Sequence, residues 1–280
     1  MAVGFPPLPD FERPPVVEVV LSLQFEPLTK LQVQHIGFLW SMFKDRFPNV
    51  ETKPPLDPVM EMFEQRPTRP SVRFQVGEFP LFPRVWFVSS SGSELLQVQT
   101  DRFIHNWRKT GEQPDYPRYD RIREDFHREL ETFVTFLADN TLGELKPNQC
   151  EITYINHIPV GDGLSSHGDA NRILKPLRDN FRLPFLSAPE VTRFSTRYVM
   201  QRENEDNGKP FGRLYVDMNP AFDAQQKPLF VLNLTARAIP ARQDIESAMS
   251  CYDIGRKHIV CTFDAITSES MHNVWGKHER

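Results

Sequence analysis

The order of predicted elements is the same in the two halves of this chain. Hydrophobic periodicity predicts a strand, a helix, three or four strands and a long helix between Pro15 and about Asn140. The same series returns between about Asn148 and His272. A period of two residues marks the strands, and a period near 3.6 marks the helices. The sequence therefore predicts a proline-rich extended arm at residues 1–14 and two similar halves at residues 15–145 and 146–280.

The individual elements differ in how clearly they are marked. Val16 to Phe25 alternates between apolar and polar residues, and a helix from Tyr119 to Asn140 has a single apolar stripe that includes Phe126 and Phe133. Further predictions are strands at 84–90, 94–103, 150–159, 191–202, 212–218 and 229–238, a helix after Asp169 with Ile173, Leu174, Leu177 and Phe181 on its apolar face, and a last helix capped by Asp244. Residues 49–83 are rich in proline and predict only one or two short strands, of which Ser71–Val76 is the better candidate.

Elements with one apolar side stack in two layers, with helices on one face of an antiparallel sheet. We therefore predict an α+β fold in which two β-α-β(3–4)-α halves form one curved, saddle-like antiparallel sheet with helices on one face. The order of elements resembles that of the TATA-box-binding-protein-like folds. Because that likeness concerns element order alone, it implies no function.

Composition limits the class of protein. The 280 residues carry a net charge of −4 and a pI near 6.1, which argues against a dedicated nucleic-acid binder but leaves room for a local basic face. The three cysteines have the spacing of neither a zinc site nor a disulfide framework. With no secretory signal and no apolar run of about 18 residues, the sequence predicts a cytoplasmic protein with no membrane association.

Catalytic and cofactor motifs are absent from the sequence. No HExxH, GxSxG, GxxxxGK[ST] or GxGxxG pattern occurs, and the eight histidines have no ligand spacing. We therefore predict no cofactor, no metal and no assigned catalytic residue.

The strands of the second half predict a row of arginines on the face away from the helices. Arg193, Arg197, Arg213 and Arg237 would lie on this open face, with Asp217, Glu18 and Asp101 as the acids within reach. Unpaired arginines would suit an anionic or carboxylate-bearing partner through bidentate contacts. The alternative is a solvated sheet face whose arginines pair with acids across strands.

A second group of candidate residues lies in the run from Gln97 to Arg108. Gln99, Asp101, His105 and Trp107 are its functional-looking side chains, and Asp101 with His105 could form an acid–base or metal pair. The alternative is structural, with the aromatic residues anchoring the chain where it passes to the next helix and the polar residues satisfying backbone groups.

Several segments resemble a known family. They are PPVVEVVLSLQFEPL at 14–28, LLQVQTDRFIHNWRK at 95–109 with YPRYD at 116–120, EITYINHIP at 151–159 and HIVCTFDAITSESMHNVWG at 258–276. The family is bacterial, of similar length, sporadically distributed and functionally uncharacterised. The resemblance implies a prokaryotic cytosolic protein, and patchy distribution is a trait of mobile and defence-linked genes. It implies no catalytic residue.

These observations favour a non-catalytic binding or regulatory module whose open sheet face takes a protein or nucleic-acid partner. One alternative is an enzyme with a site around Asp101 and His105. Another is a carrier of a small ligand with a pocket between helix and sheet. The sequence does not indicate an oligomeric state.

Overall fold

The structure is a computed structural model, and it describes residues 5–63, 82–111, 116–161, 163–177, 185–187, 189–201 and 209–278. The strands are β1 (Val16–Phe25), β2 (Asn49–Lys53), β3 (Arg84–Val88), β4 (Glu94–Gln99), β5 (Arg102–Arg108), β6 (Pro147–Pro159), β7 (Phe194–Gln201), β8 (Pro210–Phe222) and β9 (Pro228–Ala238). The helices are α1 (Val33–Phe43), α2 (Tyr119–Asp139), α3 (Ala170–Ile173), α4 (Ile245–Ile266) and α5 (Glu269–Trp275). The predicted α+β class is confirmed.

The strands of the described chain form one open antiparallel sheet in the order β2-β3-β4-β5-β1-β6-β9-β8-β7. β1 and β6 lie side by side at its centre, where Leu21 is opposite Ile152. In each half the last strand of the series pairs with the first, β5 with β1 and β9 with β6. The β1–β6 pairing therefore joins the two halves into one continuous sheet.

One face of the sheet is covered by helices. The register places one row of side chains on this face across seven strands: Phe87, Leu96, His105, Leu21, Ile152, Ala236 and Leu214. In the adjacent row, Phe103 stacks on Phe133 of α2 with ring centroids 4.9 Å apart. Phe126 and Phe133 are fully buried, as the apolar stripe of α2 predicts. We call the opposite side of the sheet the open face.

α4 lies very close to the sheet because it carries Gly255 at the point of contact. A Cβ at this position would stand 2.8 Å from Ile152 Cγ2 and 3.2 Å from Ala236 Cβ. Any larger residue would push α4 away from β6 and β9. The predicted N-cap of α4 is confirmed, since the Asp244 side chain accepts a hydrogen bond from the Ser247 amide.

The N-terminal arm, where the structure describes it, is held by the end of the chain. The Glu12 amide donates to the Gly276 carbonyl, and the Arg13 amide donates to the Trp275 carbonyl, each over 2.9 Å. Phe11 is buried against the rings of Phe263 and Trp275. The arm is thus part of the core around α4 and α5.

Two sequence predictions about elements are wrong. The strand expected at 94–103 is two strands, because the chain reverses at Thr100 and Asp101 and β5 pairs back on β4. The helix expected after Asp169 is the single turn α3, and Leu174 already lies in a β-bridge to Thr267. The strand expected at Ser71–Val76 lies outside the described residues, as does Phe181. In the described part of the chain, no helix is both long and apolar enough to cross a bilayer.

Candidate functional site

Residues 54–63 cross the open face, and we call them the crossing segment. They follow β2 and contain no helix or strand. Among the described residues, the backbone of this segment is held by side chains of the sheet and not by other backbone groups. Its apolar side chains Val59, Met60 and Met62 remain 40–54% exposed, whereas Leu56 and Phe63 are half-buried.

Four neighbouring side chains of the open face hold the backbone of residues 56–61 in the crossing segment. They stand in one row across adjacent strands, with Arg102 opposite Gln99 and Gln24, and Gln24 opposite Gln149. We call this set the polar row: Gln99, Arg102, Gln24 and Gln149. The alternation of a strand places all four on the open face, because their neighbours Phe103, Leu23 and Cys150 face the helices.

The polar row binds successive residues of the crossing segment. The Gln99 amide both accepts from the Leu56 N–H and donates to the Leu56 carbonyl, each over 2.9 Å. Arg102 Nη2 donates to the Asp57 carbonyl over 3.0 Å. The Val59 amide donates to Gln24 Oε1 over 3.1 Å, and the Glu61 amide donates to Gln149 Oε1 over 3.0 Å. The segment therefore runs across β4, β5, β1 and β6 in that order.

The Glu61 side chain continues the path onto β9 and β8. Its carboxylate accepts from Arg213 Nη1, from the Tyr215 hydroxyl over 2.6 Å and from Arg237 Nη1 over 3.3 Å. We call Arg213, Tyr215 and Arg237 the carboxylate site. The Glu61 side chain is only 2% exposed, and burial of a charge requires this kind of pairing.

Further contacts fix the two guanidinium groups. Arg237 also binds Glu151, with Nε 2.6 Å from Oε2, and it lies over the Tyr215 ring at 5.2 Å. Arg213 donates to the Met62 carbonyl over 2.8 Å and lies 4.4 Å above the Phe63 ring. The site therefore holds one carboxylate by two arginines and a hydroxyl, with Glu151 orienting one of the arginines.

Burial and the two carboxylates shift the pKa values of Tyr215 and Arg237. Burial raises the pKa of Tyr215, and its hydrogen bond to Glu61 raises that pKa further, so Tyr215 is a neutral donor. Burial alone would lower the pKa of Arg237, but Glu151 and Glu61 more than offset this and the pKa is raised. Arg237 therefore stays positively charged beside Glu61 and Glu151.

The four predicted arginines lie in different surroundings. Arg213 is opposite Arg237, and both are mostly buried on the open face. Arg197 of β7 is on the same face, opposite Tyr215 of β8. Its side chain is exposed, and its guanidinium lies 6.0 Å from the Tyr215 ring centroid. Arg193 is exposed just before β7 begins. Of the four, Arg213 and Arg237 belong to the carboxylate site.

The acids expected to face these arginines have other partners. Asp217 accepts from Ser195, Glu18 accepts from Asn106, and Asp101 accepts from Gln99. The partners of Arg213 and Arg237 are instead Glu61 and Glu151.

The predicted acid–base candidates are separated. Asp101 lies in the turn between β4 and β5, where Gln99 Nε2 donates to it over 2.7 Å. His105 faces the helices, is 0% exposed, and has its Nδ1 2.7 Å from Glu129 Oε2 of α2. Trp107 is buried against Tyr116. Of these candidates, Gln99 is the residue that contacts the crossing segment.

Glu129 is the centre of a second buried ionic group, which we call the helix-side cluster. Arg46 donates to Glu129 Oε1 over 2.6 Å and also binds Glu94 and Asp125. His105 occupies the other oxygen of Glu129. These residues come from the chain after α1, from α2 and from β4 and β5, so the cluster joins helices to sheet.

Side chains that could ligate a metal are dispersed over the described ranges. In them no three His, Cys, Asp or Glu side chains converge as a metal site. Cys150 is a buried thiol of β6, and burial raises its pKa, so it is a poor thiolate ligand.

The sequence analysis did not identify Glu61, Arg102 or Gln149 as site residues. It also did not predict that Gln24 binds a backbone amide. Strand alternation does place Gln24 and Gln149 on the open face. It does not place Arg102 there, because in the single strand predicted at 94–103 Arg102 would lie on the face opposite Gln99, and only the reversal at Thr100 and Asp101 brings the two side chains together. Glu61, however, lies in a proline-rich stretch without periodicity, and nothing local to it points to arginines about 150 residues later.

No protein-family model matches the chain, and neither a curated protein nor a solved structure matches it. The geometry of the site is therefore the basis for function.

Proposed function

We propose that this protein is a non-catalytic binding module whose open sheet face takes an extended, acidic segment of a protein partner. The observation that supports the proposal is the way the open face binds the Glu61 side chain and the backbone of the residues before it. Four strands bind the backbone of an extended chain, and two arginines with a tyrosine hold its carboxylate. In this proposal the crossing segment occupies the site in the absence of the partner.

Exchange of the crossing segment is physically reasonable because its anchoring is polar. Each neutral hydrogen bond contributes only about 0.5–1.5 kcal/mol net and each one to a charged group about 1.5–3 kcal/mol, since water replaces it when the segment leaves. Val59, Met60 and Met62 are 40–54% exposed already, so their release costs less hydrophobic burial than the release of a core residue. A competing segment with a better-placed carboxylate could therefore displace residues 54–63.

The chemistry favours a peptide over a nucleic acid. The polar row offers both donors and acceptors to a peptide backbone, whereas a phosphate backbone offers only acceptors. Glu151 lies beside Arg237 and would repel a run of phosphates. The net charge of −4 opposes a polyanion more strongly than a peptide that brings one or two carboxylates.

The geometry around Asp101 and His105 disfavours an enzyme site there. His105 is buried between β5 and α2 and binds Glu129, while Asp101 binds Gln99 in a turn, so the two side chains do not face a common substrate. Catalysis by this pair would require both groups to reach one reacting atom.

We also propose that the protein belongs to a prokaryotic, defence-linked system. The support is the resemblance of segments such as EITYINHIP at 151–159 to a sporadically distributed bacterial family. An exchangeable site for an acidic peptide would suit a regulatory component of such a system.

The experiment uses the chain's own segment as the probe. A fluorescein-labelled peptide PPLDPVMEMF, the sequence of residues 54–63, is titrated into the wild-type protein and into Glu61→Ala. Glu61→Ala weakens the competing segment, so we expect saturable binding to the variant and binding roughly tenfold or more weaker to the wild type. A peptide with Gln in place of its Glu should bind about tenfold or more weaker, because charge-assisted hydrogen bonds are lost.

Paired variants locate the binding. In the Glu61→Ala background, Arg237→Ala should abolish peptide binding, whereas Arg197→Ala, which removes an exposed arginine of the same face, should leave it within about twofold. Equal binding of the Glu and Gln peptides would refute the carboxylate site. Tighter binding of a mixed-sequence single-stranded oligonucleotide than of the peptide would replace the protein partner with a nucleic acid.

We further propose that the fold is an internal duplication. Both halves place the last strand beside the first, in the orders β1-β5-β4-β3 and β6-β9-β8-β7, and in both a long helix, α2 or α4, follows the last strand. The first half has the additional strand β2, and the helix of the second half is reduced to α3. Superposition of residues 15–140 on residues 148–272 tests this, and paired strands that diverge in direction or register would contradict it.

A further inference from the structure

A cavity of about 360 Å³ lies on the helix side of the sheet, beneath the N-terminal arm. Its floor is formed by β6 and β9, one wall by α4, another by the start of α2, and its cover by residues 8–14. The volume falls near the lower end of the range of about 300–1,000 Å³ found for small-molecule sites. Because the cavity and the open face lie on opposite sides of the sheet, this is a site separate from the carboxylate site.

Most of the cavity wall is apolar. α4 presents Ile259, Val260 and Phe263, which follow one another on one helical face, and β9 adds Leu234. Leu8 of the arm closes the same side. This part of the cavity suits the alkyl or aryl body of a small molecule.

The other end of the cavity is polar, and Arg256 is its central residue. The Tyr116 and Tyr154 hydroxyls stand 3.1 Å apart beside it, and the guanidinium lies 4.8 Å from the Tyr119 ring centroid. Burial raises the pKa of both Tyr116 and Tyr154, although Arg256 opposes the shift, so both hydroxyls stay protonated. Two neutral hydroxyls and one guanidinium therefore line the same end of the cavity.

Arg256 is incompletely satisfied within the described part of the chain. Its Nε is buried from solvent and has no hydrogen-bond partner there. The nearby Asp253 is already taken, since it binds the Tyr119 hydroxyl over 2.8 Å and Arg123 over 2.7 Å. A buried guanidinium donor without an acceptor is costly, and a ligand oxygen would relieve that cost.

The charge around the cavity favours a ligand with a single negative charge. The charged side chains that line it, among the described residues, are Asp10, Arg118, Asp120 and Arg256. Arg118 donates to Asp10 over 3.0 Å, and Asp120 is exposed at the start of α2. A dianion such as a phosphate monoester would be attracted by the Arg256 guanidinium, but Asp120 would repel it about twice as strongly as it repels a monoanion.

The cover of the cavity is held by a strained residue. Arg118 has a φ of 71°, in the left-handed region that non-glycine residues rarely adopt. In this conformation its guanidinium reaches both the Asp10 side chain and, over 3.3 Å, the Phe11 carbonyl. Such strain persists where the surrounding contacts enforce it, and it is frequent at binding sites.

We infer that this cavity binds a small monocarboxylate with an apolar body, its carboxylate on Arg256, Tyr116 and Tyr154 and its body along α4 and β9. Guanidinium donors in a planar fork match the two oxygens of a carboxylate. The ligand would enter beside the arm.

The test compares decanoate with decanol, which share an apolar body and differ in charge. Isothermal titration of the wild-type protein, below the micelle concentration of the probe, should show saturable binding of decanoate and binding at least about tenfold weaker for decanol. Arg256→Gln should reduce decanoate binding by at least about tenfold. Lys257→Gln, which removes the same charge from the exposed next residue of α4, should leave it unchanged within about twofold.

A second variant keeps Arg256 and fills the apolar end. Val260→Trp should also abolish decanoate binding, and circular dichroism with thermal melting identifies the folded variants to be compared. The inference is overturned if folded wild-type protein does not bind decanoate, if decanol binds as tightly, or if folded Arg256→Gln binds as the wild type does. None of these outcomes bears on the crossing segment, because its peptide assay uses other residues.

Discussion

Two buried carboxylates, Glu129 and Glu61, lie on opposite faces of the same sheet and have similar chemistry. Each side chain is at most 3% exposed, and each binds arginine. They differ in the backbone that carries them. Glu129 belongs to the 21-residue helix α2, whose apolar stripe is buried in the core, whereas Glu61 belongs to the crossing segment, which has no secondary structure.

The difference shows that the burial of a charged side chain does not reveal whether its ion pairs are permanent. Release of Glu129 would require α2 to leave the sheet together with Phe126 and Phe133, which are fully buried. Release of Glu61 requires the loss of its ion pairs with Arg213 and Arg237 and of the hydrogen bonds along one short segment, but no helix or strand has to move. The same pairing is therefore structural on the helix-covered face and exchangeable, in our proposal, on the open face.

The largest expected effect is that of Glu129→Ala. The substitution leaves Arg46 and His105 without their shared carboxylate inside the protein, and breaking a buried pair typically costs about 3–5 kcal/mol of the free energy of unfolding. Urea denaturation measures this cost, and Glu124→Ala on the exposed side of α2 is the matched control, with an expected change within about 0.5 kcal/mol. Similar midpoints for the two variants would show that the helix-side cluster does not stabilise the fold.

A comparable effect is expected from apolar truncation on the helix-covered face. Phe133→Ala removes a ring stacked on Phe103 and should cost roughly 3–5 kcal/mol, as should Phe126→Ala. Met62→Ala in the crossing segment should change the free energy of unfolding by less than about 0.5 kcal/mol, because Met62 is 54% exposed. Thermal melting of the three variants measures the contrast, and a large loss for Met62→Ala would mean that the crossing segment belongs to the core.

Glu61→Gln should have a smaller global effect and a distinct local one. The change removes the charge but keeps a hydrogen-bonding side chain, so we expect a loss of about 1–3 kcal/mol. Hydrogen exchange should accelerate at the amides of Leu56, Val59 and Glu61, which bind the polar row, but not at Leu21 in the centre of the sheet. If these amides exchanged only with global unfolding, the contrast between the two faces would disappear.

The smallest effect is expected for the two exposed arginines. Arg193→Ala and Arg197→Ala should each change the free energy of unfolding by less than about 0.5 kcal/mol, since both side chains are exposed and solvent screens their charges. Chemical denaturation of the double variant checks this. A loss similar to that of Glu61→Gln would place these arginines in the same network as the carboxylate site.

Local periodicity predicted elements well where one face is buried. β1 occupies Val16–Phe25 as predicted, and α2 begins at Tyr119 and ends one residue before the predicted Asn140. The division between β4 and β5 was not predicted. The turn at Thr100 and Asp101 contains no glycine or proline, and the strand formers Val98 and Phe103 lie close on either side. The reversal is stabilised from outside, since the Thr100 and Asp101 carbonyls accept from the amides of Leu28 and Phe25.

The sequence by itself determined the class of fold and the face on which most strand residues lie. Alternation assigned Arg213, Arg237 and Gln24 to the open face, because the side-chain period of a strand is a property of neighbouring residues. Only the tertiary structure decided what these side chains bind. Glu61 meets Arg213 across 152 residues of chain, and His105 meets Glu129 from another element, and such contacts depend on how distant segments close on one another and not on any local pattern.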